Sequence, residues 1–338
     1  MVPDKKENCG LFAIWGDSDA AGKTYFALHS LQHRGQEAAG IASCDGEAVQ
    51  CFASMGTVSR VFREGSGLLE SLRNPAAIGH VRYSTTGGSR PINAQPFLSE
   101  YSRGQVAVAH NGNLINASLL RDEYEAYGSI FKSTSDTEII VHLLAKPSHV
   151  TKPDPLGHVL NHLQGAYSLL FMFADRIEAA RDPYGIRPLC LGRTAAGAYC
   201  VASETCAFEA IGATYVREIE PGEIVTLSNK GLKSRFFVTP GTVKPGHCIF
   251  EHVYFAKQSS SVFGENVHDL RKKFGRQIAI EYPVEADVVI PVPDSGTSAA
   301  IGYADQSGIP FDMGFVRSHY VGRTFISPTQ ILRDLQVR

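Results

Sequence analysis

Short runs of apolar residues along the first two thirds of the chain predict β-strands, and Gly, Pro and Asn turns separate them. The predicted strands are 11–15, 76–82, 105–109, 167–173, 198–202 and 223–227. Two stretches, 24–33 and 137–144, have the apolar spacing of helices that cover a sheet. Strands interrupted by helices in this way predict a layered α/β architecture.

The composition changes between residues 228 and 246, which are rich in Lys, Gly and Pro and poor in periodic apolar positions. We place a domain boundary there, so that the first domain is 9–235 and the second is 236–338. The elements predicted in the second domain are helices 268–281 and 297–306 and strands 286–292 and 309–316. A strand, a helix and a second strand form the unit of a parallel sheet. Such a sheet usually has more strands, so we expect the second domain to be incomplete in this sequence.

Length and charge narrow the class of protein. The 338 residues are 43% hydrophobic, enough for two domains with their own cores. Lys plus Arg is 32 and Asp plus Glu is 34, and the net charge of -2 offers no strong field for nucleic acid or anionic lipid. No apolar run approaches the ~20 residues of a membrane span, and residues 1–8 lack the apolar segment of a secretory signal. We therefore expect a cytoplasmic protein without nucleic-acid or membrane partners.

Of the seven cysteines, Cys9 stands in the most suggestive place. No Cys-x-x-Cys pair occurs, which argues against a local zinc site, and most of the others are predicted to be small buried side chains. Cys9 follows a polar leader and comes just before the predicted strand 11–15. A thiol is a good nucleophile, and a free α-amino group, with a pKa of about 7.7–8.0, is a suitable base. Cleavage of the Asn8–Cys9 bond would place both groups on one residue.

Three later segments contain polar groups that a cysteine nucleophile needs. Arg82, at the end of strand 76–82, can hold a carboxylate with two hydrogen bonds. Asn111, together with the backbone N–H of Gly112, can form an oxyanion hole after strand 105–109. Asp136, beside a helix start, can accept a substrate ammonium group. Each segment alone also has an ordinary interpretation, as a surface arginine, a turn or a capping box.

Together these segments resemble the class II glutamine amidotransferases. The matching segments, in order, are Cys9-Gly10, Gln32-His33-Arg34-Gly35-Gln36, Gly79-His80-Val81-Arg82-Tyr83, His110-Asn111-Gly112-Asn113-Leu114 and Ser135-Asp136. The resemblance implies the αββα sandwich of N-terminal-nucleophile hydrolases and a propeptide of residues 1–8. It also implies the roles of the site residues: Cys9 as nucleophile, Asn111 and Gly112 as oxyanion donors, Arg82 and Asp136 as the glutamine clamp, and Arg34 as a supporting residue of the glutamine-binding site.

The second half resembles the amidophosphoribosyltransferase family within that class. The segments concerned are RDPYGIRPL at 181–189, CIFEHVYFA at 248–256, VIPVPDSG at 289–296 and HYVGRTFISPTQ at 319–330. The family reaction converts glutamine, phosphoribosyl pyrophosphate and water to phosphoribosylamine, glutamate and pyrophosphate, in purine synthesis. The resemblance also implies a type I phosphoribosyltransferase-like parallel sheet and a homotetramer.

The predicted acceptor half has chemistry suited to a polyphosphate. A strand leads through Ser295 and Gly296 into a helix, a geometry that can present N–H groups and the Ser295 hydroxyl to phosphate or Mg²⁺. The loop that follows is predicted to fold over the polyphosphate and exclude water. Its candidate contacts are Tyr320, Gly322, Arg323 and Thr324.

Two sites of the family are only partly present in this sequence. Cys248 corresponds to the first ligand of a [4Fe-4S] cluster found in one branch, yet the cluster needs four cysteines and none follows Cys248. The strand that binds the ribose hydroxyls ends in two adjacent acids, and this sequence contains no Asp-Asp pair. Whether the sequence is a piece of a longer protein or a natural short form is left open. We expect the chain by itself to hydrolyse glutamine without making phosphoribosylamine.

Other interpretations compete with this one. A sugar-phosphate aminotransferase or an asparagine synthetase shares the glutaminase half, but the PDSG and HYVGRTF segments argue against both. A nonenzymatic regulatory homologue conflicts with the joint presence of Cys9, Arg82, Asn111 and Asp136. A stand-alone glutaminase that delivers ammonia to a partner stays open.

Overall fold

The computed structural model describes residues 9–83 and 90–316, which form two compact units. Within the described residues the first unit comprises 9–83, 90–203 and 207–247, and the second comprises 204–206 and 248–316. The boundary predicted after residue 235 falls inside the last strand of the first unit. The Lys- and Pro-rich segment up to residue 247 therefore belongs with the first unit.

Antiparallel strands make up most of the first unit. They are β1 Gly10–Trp15, β2 Ala38–Cys44, β3 Val49–Met55, β4 Ala76–Arg82, β5 Phe97–Tyr101, β6 Gly104–Leu114, β7 Gly165–Met172, β8 Arg176–Arg181, β9 Cys190–Thr194, β10 Tyr199–Ala202, β11 Ala213–Glu218, β12 Glu223–Ser228 and β13 Gly231–Phe236. The α-helices up to residue 209 are α1 Ala20–Ser30, α2 Val58–Val61, α3 Leu68–Ser71, α4 Ala117–Ala126, α5 Thr137–Ala145, α6 Pro147–Val150, α7 Pro155–Leu160 and α8 Cys206–Glu209. Single 3₁₀ turns lie at Gln32–Arg34 and Pro91–Asn93.

These strands form two sheets that face each other. Their orders are β11-β9-β10-β1-β4-β2-β3 and β13-β12-β8-β7-β6-β5. Apolar side chains from both sheets, such as Leu11, Ile78 and Leu170, make one shared core. Helix α1 packs on the outer face of the first sheet, while α4, α5 and α7 cover the second. The predicted αββα sandwich is confirmed.

Strands β1 and β4 lie in the middle of this sandwich and are buried along their whole length. Burial on both faces explains why their sequences are continuous apolar runs with little alternation. Gly79 of β4 allows α1 to approach closely, because a Cβ there would lie 2.5 Å from Cγ2 of Thr24. The nucleophile candidate thus precedes a rigid central strand.

The second unit contains a tightly packed helix pair. Its elements are a π-helical turn Glu251–Phe255, strands β14 Ser261–Val262 and β15 Glu265–Asn266, and helices α9 Val267–Glu281 and α10 Thr297–Ser307. Gly275 and Gly302 let the two helices touch backbone to backbone. A Cβ at Gly275 would lie 1.9 Å from the carbonyl oxygen of Ala299.

The prediction of two regular strands in this unit, 286–292 and 309–316, was wrong. Within the described residues they form a single parallel bridge between Val289 and Phe311. The bridge has the parallel direction that the strand, helix, strand pattern predicts. Pro291, Pro293 and Pro310 lack the N–H groups that a longer ladder needs, which limits the pairing.

No helix in the described ranges is long and apolar enough to cross a membrane. The predicted phosphate-loop residues, Tyr320, Gly322, Arg323 and Thr324, lie outside the described residues.

Candidate active site

Cys9 lies at the entrance to β1 and is almost fully buried. Its carbonyl oxygen accepts a hydrogen bond of 2.9 Å from Nε of Arg34, and its Sγ lies 3.7 Å from the carbonyl oxygen of Tyr83. Two residues further on, Leu11 donates its N–H to Oγ of Ser203 at 3.0 Å. The backbone on each side of the thiol is therefore fixed by buried polar groups.

The Gln32–Arg34 turn brings the Arg34 guanidinium beneath Cys9. Arg34 is completely buried, and Gly35 passes so close to β4 that a Cβ would lie 2.4 Å from the carbonyl carbon of Arg82. The sequence resemblance gave Arg34 a supporting role at the glutamine site. Its contact with the carbonyl of Cys9 fixes the backbone of that residue.

The segment His110–Leu114 corrects one prediction. The predicted strand ended at residue 109, before this segment, but the segment is the second half of β6 and pairs with β7. Gly112 makes this possible, because its φ of +149° lies in a region that favours glycine and a Cβ would be 2.0 Å from the carbonyl oxygen of Ala166. The ladder holds Asn111 rigidly on the strand.

Asn111 is joined directly to Cys9. The backbone N–H of Cys9 donates to Oδ1 of Asn111 at 3.0 Å, which fixes the orientation of the amide. Its Nδ2 is buried and, among the described residues, has no hydrogen-bond partner. An unpaired buried donor is rare in folded proteins, and this one belongs to the residue that binds Cys9.

Asp136 lies just before α5 and is buried. Its Oδ2 accepts the N–H of Leu114 at 2.9 Å, and its Oδ1 lies 3.7 Å from Nδ1 of His110. Burial opposes ionisation, but His110 and the hydrogen bonds outweigh it, and the net pKa of Asp136 is lowered. A buried, ionised carboxylate of this kind can bind a substrate ammonium group.

A network of residues to which the sequence gave no role supports this strand. The N–H of His110 donates to Oε1 of Gln95 at 2.8 Å, and Nε2 of Gln95 donates to Oγ1 of Thr137 at 3.0 Å. His80 on β4 donates from Nε2 to the carbonyl of His110 at 3.1 Å. In the sequence, the positions of both histidines in the motifs GHVRY and HNGNL could have indicated a role for them at this site. Together they tie β4, β6 and the start of α5 into one block.

Burial makes the Cys9 thiol a weak acid. Desolvation raises its pKa to about 11, although the carbonyl contact with Tyr83 and the charges of Arg82 and Arg34 oppose this, while Glu37 reinforces it. The thiol alone is protonated at neutral pH. The sulfur can act as a nucleophile only after a base has removed this proton, and the α-nitrogen of Cys9 belongs to the same residue as the thiol.

His80 gives a testable pH dependence of stability. Burial lowers its pKa from 6.5 to about 3, so the unfolded chain takes up a proton that the folded chain does not. Stability is complete above pH 6.5 and falls as the pH falls towards 3, by about 1.4 kcal/mol per pH unit. At pH 5 the loss is about 2 kcal/mol relative to pH 8.

Urea unfolding at pH 5 and pH 8 checks this expectation. His80→Gln keeps a donor for the carbonyl of His110 and cannot be charged, so its stability should differ less between the two pH values. His29→Gln, on the exposed side of α1, is the matched control and should keep the full difference. An equal pH difference in His80→Gln and the unaltered chain would contradict the assignment.

The segment RDPYGIRPL has a structural role in the first unit. Arg181 is buried and donates to the carbonyls of Arg187 at 2.9 Å, Ile219 at 2.6 Å and Gly185 at 2.8 Å. Asp182 accepts the N–H groups of Tyr184 and Ile186 at 2.9 and 3.0 Å. The buried side chains of Arg181 and Asp182 therefore hold this segment in place as a loop.

Two of the residues singled out in the second half, Ser295 and Cys248, lie within the described residues. Ser295 lies in the turn before α10, where Gly296 donates its N–H to the carbonyl of Val292 at 3.1 Å. Cys248 precedes the π-helical turn. Within the described ranges no group of three His, Cys, Asp or Glu side chains with metal-binding spacing includes Cys248.

Comparison with known proteins decides the family. Residues 80–210 match the model of a glutamine amidotransferase domain. Over 98% of its length the chain is 47% identical to the amidophosphoribosyltransferase of Bacillus subtilis and spans 69% of it. The chain belongs to the amidophosphoribosyltransferase family. A chloroplastic amidophosphoribosyltransferase of Glycine max is 50% identical, and the chain spans 58% of its length.

A solved structure has the same fold as this amidophosphoribosyltransferase family member. The glutamine phosphoribosylpyrophosphate amidotransferase from Bacillus subtilis, in complex with ADP and GMP, superposes with a TM-score of 0.87 at 46% identity. The match covers 98% of this chain and 71% of that one. The fold of this chain is therefore that of the family.

Proposed function

We propose that the first unit hydrolyses the side-chain amide of glutamine with Cys9 as nucleophile. The observation that carries the proposal is the contact between the Cys9 nitrogen and Oδ1 of Asn111, which leaves a buried Nδ2 donor at the same residue. In this chain the Cys9 nitrogen is a peptide nitrogen. It stands in for the α-amine that cleavage of the Asn8–Cys9 bond would release, with residues 1–8 as the propeptide.

The α-amine acts as the base. It takes the thiol proton while sulfur attacks the amide carbon, an S–C bond forms and the carbonyl oxygen becomes an oxyanion. Nδ2 of Asn111 and the N–H of Gly112 stabilise that oxyanion. The C–N bond then breaks, and the leaving nitrogen takes the proton back and departs as ammonia. Water attacks the thioester in the same way and releases glutamate.

The rest of glutamine needs a clamp for its α-carboxylate and α-ammonium groups. Arg82, buried at the end of β4, supplies a planar cation for the carboxylate, and buried Asp136 supplies the counter-charge for the ammonium group. Arg34 holds the Cys9 carbonyl and so fixes the backbone of the proposed nucleophile. Two fixed charges of opposite sign favour an amino acid over a simple amide.

We further propose that the ammonia attacks the anomeric carbon of phosphoribosyl pyrophosphate. An N–C bond forms and pyrophosphate leaves, which gives phosphoribosylamine. Ser295, before the eleven-residue helix α10, fits a phosphate or its Mg²⁺ ion because that helix start presents N–H groups without a side-chain cap. The loop with Tyr320, Gly322, Arg323 and Thr324 is proposed to cover the pyrophosphate. Mg²⁺ would neutralise its charge, and a homotetramer is the proposed assembly.

Intact mass and activity, measured on one preparation, test the donor half. Glutaminase activity should rise in proportion to the fraction of chains that begin at Cys9. kcat/KM should rise with pH through the pKa of the α-amine, about 7.7–8.0 in peptides, well below the thiol pKa of about 11. Full activity in chains that keep Met1 to Asn8 would exclude the α-amine as base.

A further inference from the structure

Three histidines of the first unit meet on two short neighbouring helices. His149 lies on α6, His158 on α7 and His162 in the turn that follows α7. One potential ligand nitrogen of each lies within 4.8 Å of the others. Their ring centroids are 4.7, 4.9 and 4.7 Å apart. The group runs from a buried ring, His149, to an exposed one, His162, so that solvent reaches one side.

The backbone around this group is well fixed. His158 and His162 are four residues apart on one helical segment, a spacing that places them on the same face. Asp154 caps α7 by accepting the N–H of Gly157 at 3.1 Å. Arg235 holds that carboxylate through two hydrogen bonds of 3.1 Å each. A helix anchored in this way gives the two side chains a stable base.

Two of the rings have their proton positions set by carbonyl groups. Nδ1 of His149 lies 3.0 Å from the carbonyl oxygen of Leu143, and Nδ1 of His162 lies 2.8 Å from that of His158. A carbonyl oxygen can only accept, so each Nδ1 carries a proton, and in the neutral ring Nε2 holds the lone pair. Metal-binding histidines are oriented by the same kind of contact.

Among the described residues no hydrogen bond joins the three imidazole rings, so their lone pairs are not used for contacts within the group. Three neutral imidazoles without a carboxylate suit a divalent transition metal better than Mg²⁺ or Ca²⁺, which prefer oxygen ligands. Lys146 and Lys152 contribute positive charge nearby, which lowers the affinity of the group for any cation.

We propose that His149, His158 and His162 form a binding site for one divalent transition metal of the zinc class, with a solvent molecule as the fourth ligand. Zn–N bonds of about 2.0–2.1 Å require the rings to draw closer than they lie here, and the exposed His162 has room to move. The site shares no residue with the proposed glutaminase machinery, so its test does not depend on that function.

Zinc titration of the purified chain, followed by calorimetry, tests the proposal. We expect one site per chain, and His158→Gln and His162→Gln should each weaken its affinity by about tenfold or more. Both positions are at least partly exposed, so the folded state should persist, and a circular dichroism melt checks this. His29→Gln, an exposed histidine on α1, should bind zinc like the unaltered chain.

Cobalt substitution separates this site from the cysteines. Bound Co²⁺ should give visible d–d bands without the near-ultraviolet charge-transfer band of a thiolate ligand, and the bands should disappear in His162→Gln. Unchanged zinc affinity in both histidine variants would overturn the proposal. So would a cobalt spectrum dominated by thiolate charge transfer.

Discussion

Replacing Cys9 with alanine is expected to abolish glutamine hydrolysis, with the largest effect of any single substitution. The thiol forms the bond to the substrate carbon, and no neighbouring group of the site can take its place. Removing the nucleophile of a comparable hydrolase costs ~10⁶ in kcat, so a loss of at least about 10³-fold should be measured. The assay is ammonia release from glutamine under saturating conditions.

Two controls give this result its meaning. Cys51→Ala removes a thiol of β3 that donates to the carbonyl oxygen of Pro96 at 3.3 Å, and it should retain glutaminase activity. Melting temperatures of both variants should stay close to that of the unaltered chain. Normal turnover in Cys9→Ala would assign the chemistry to another residue.

Asn111→Ala should lower kcat for glutamine hydrolysis by about 10² to 10³, with a smaller change in KM. The substitution removes Nδ2, which we assign to the oxyanion, and one such donor is worth about 2.7–4 kcal/mol in the transition state. It also removes the Oδ1 acceptor of the Cys9 nitrogen. Steady-state kinetics on processed chain measure both parameters.

Asn111→Asp separates the two roles. Aspartate keeps the shape of asparagine and an acceptor for the Cys9 nitrogen, but it has no donor and carries negative charge. We expect it to be at least as damaging as alanine, because it faces the oxyanion with like charge. Activity close to that of the unaltered chain would mean that Asn111 only positions Cys9.

The sequence predicted best those elements that are buried on both faces. Strand 76–82 has its predicted bounds, and helix 137–144 is one residue short of α5, because continuous apolar runs between turn residues leave few alternatives. Strand 76–82 ends with Arg82, and helix 137–144 begins directly after Asp136. Two candidate site residues therefore lie beside elements that have a strong local sequence pattern.

The second half of β6 could not be predicted from local pattern. Asn and Gly in HNGNL have the propensity of a turn, yet pairing with β7 keeps the segment extended through Leu114. The close approach of Gly112 to Ala166 is a tertiary contact and leaves no periodic signal. The same holds for Gly275 and Gly302, which serve the contact between α9 and α10.

The support of the site also depends on contacts between distant segments. Arg34 reaches the carbonyl of Cys9 and Gln95 reaches the N–H of His110, and neither partner can be inferred from spacing along the chain. The family resemblance names the candidate site residues as one set of motifs, but it gives no distances between them. Their geometry required the fold.

The central claim is that Cys9 is the group that attacks glutamine, and covalent labelling tests it most directly. A glutamine analogue with an electrophilic diazoketone in place of the amide should be incubated with active chain, and the adduct mapped by peptide mass spectrometry. The account predicts one adduct per chain, on Cys9, that excess glutamine prevents and that coincides with loss of glutaminase activity. An adduct on another cysteine that coincides with that loss, or complete inactivation while Cys9 stays unlabelled, would contradict it.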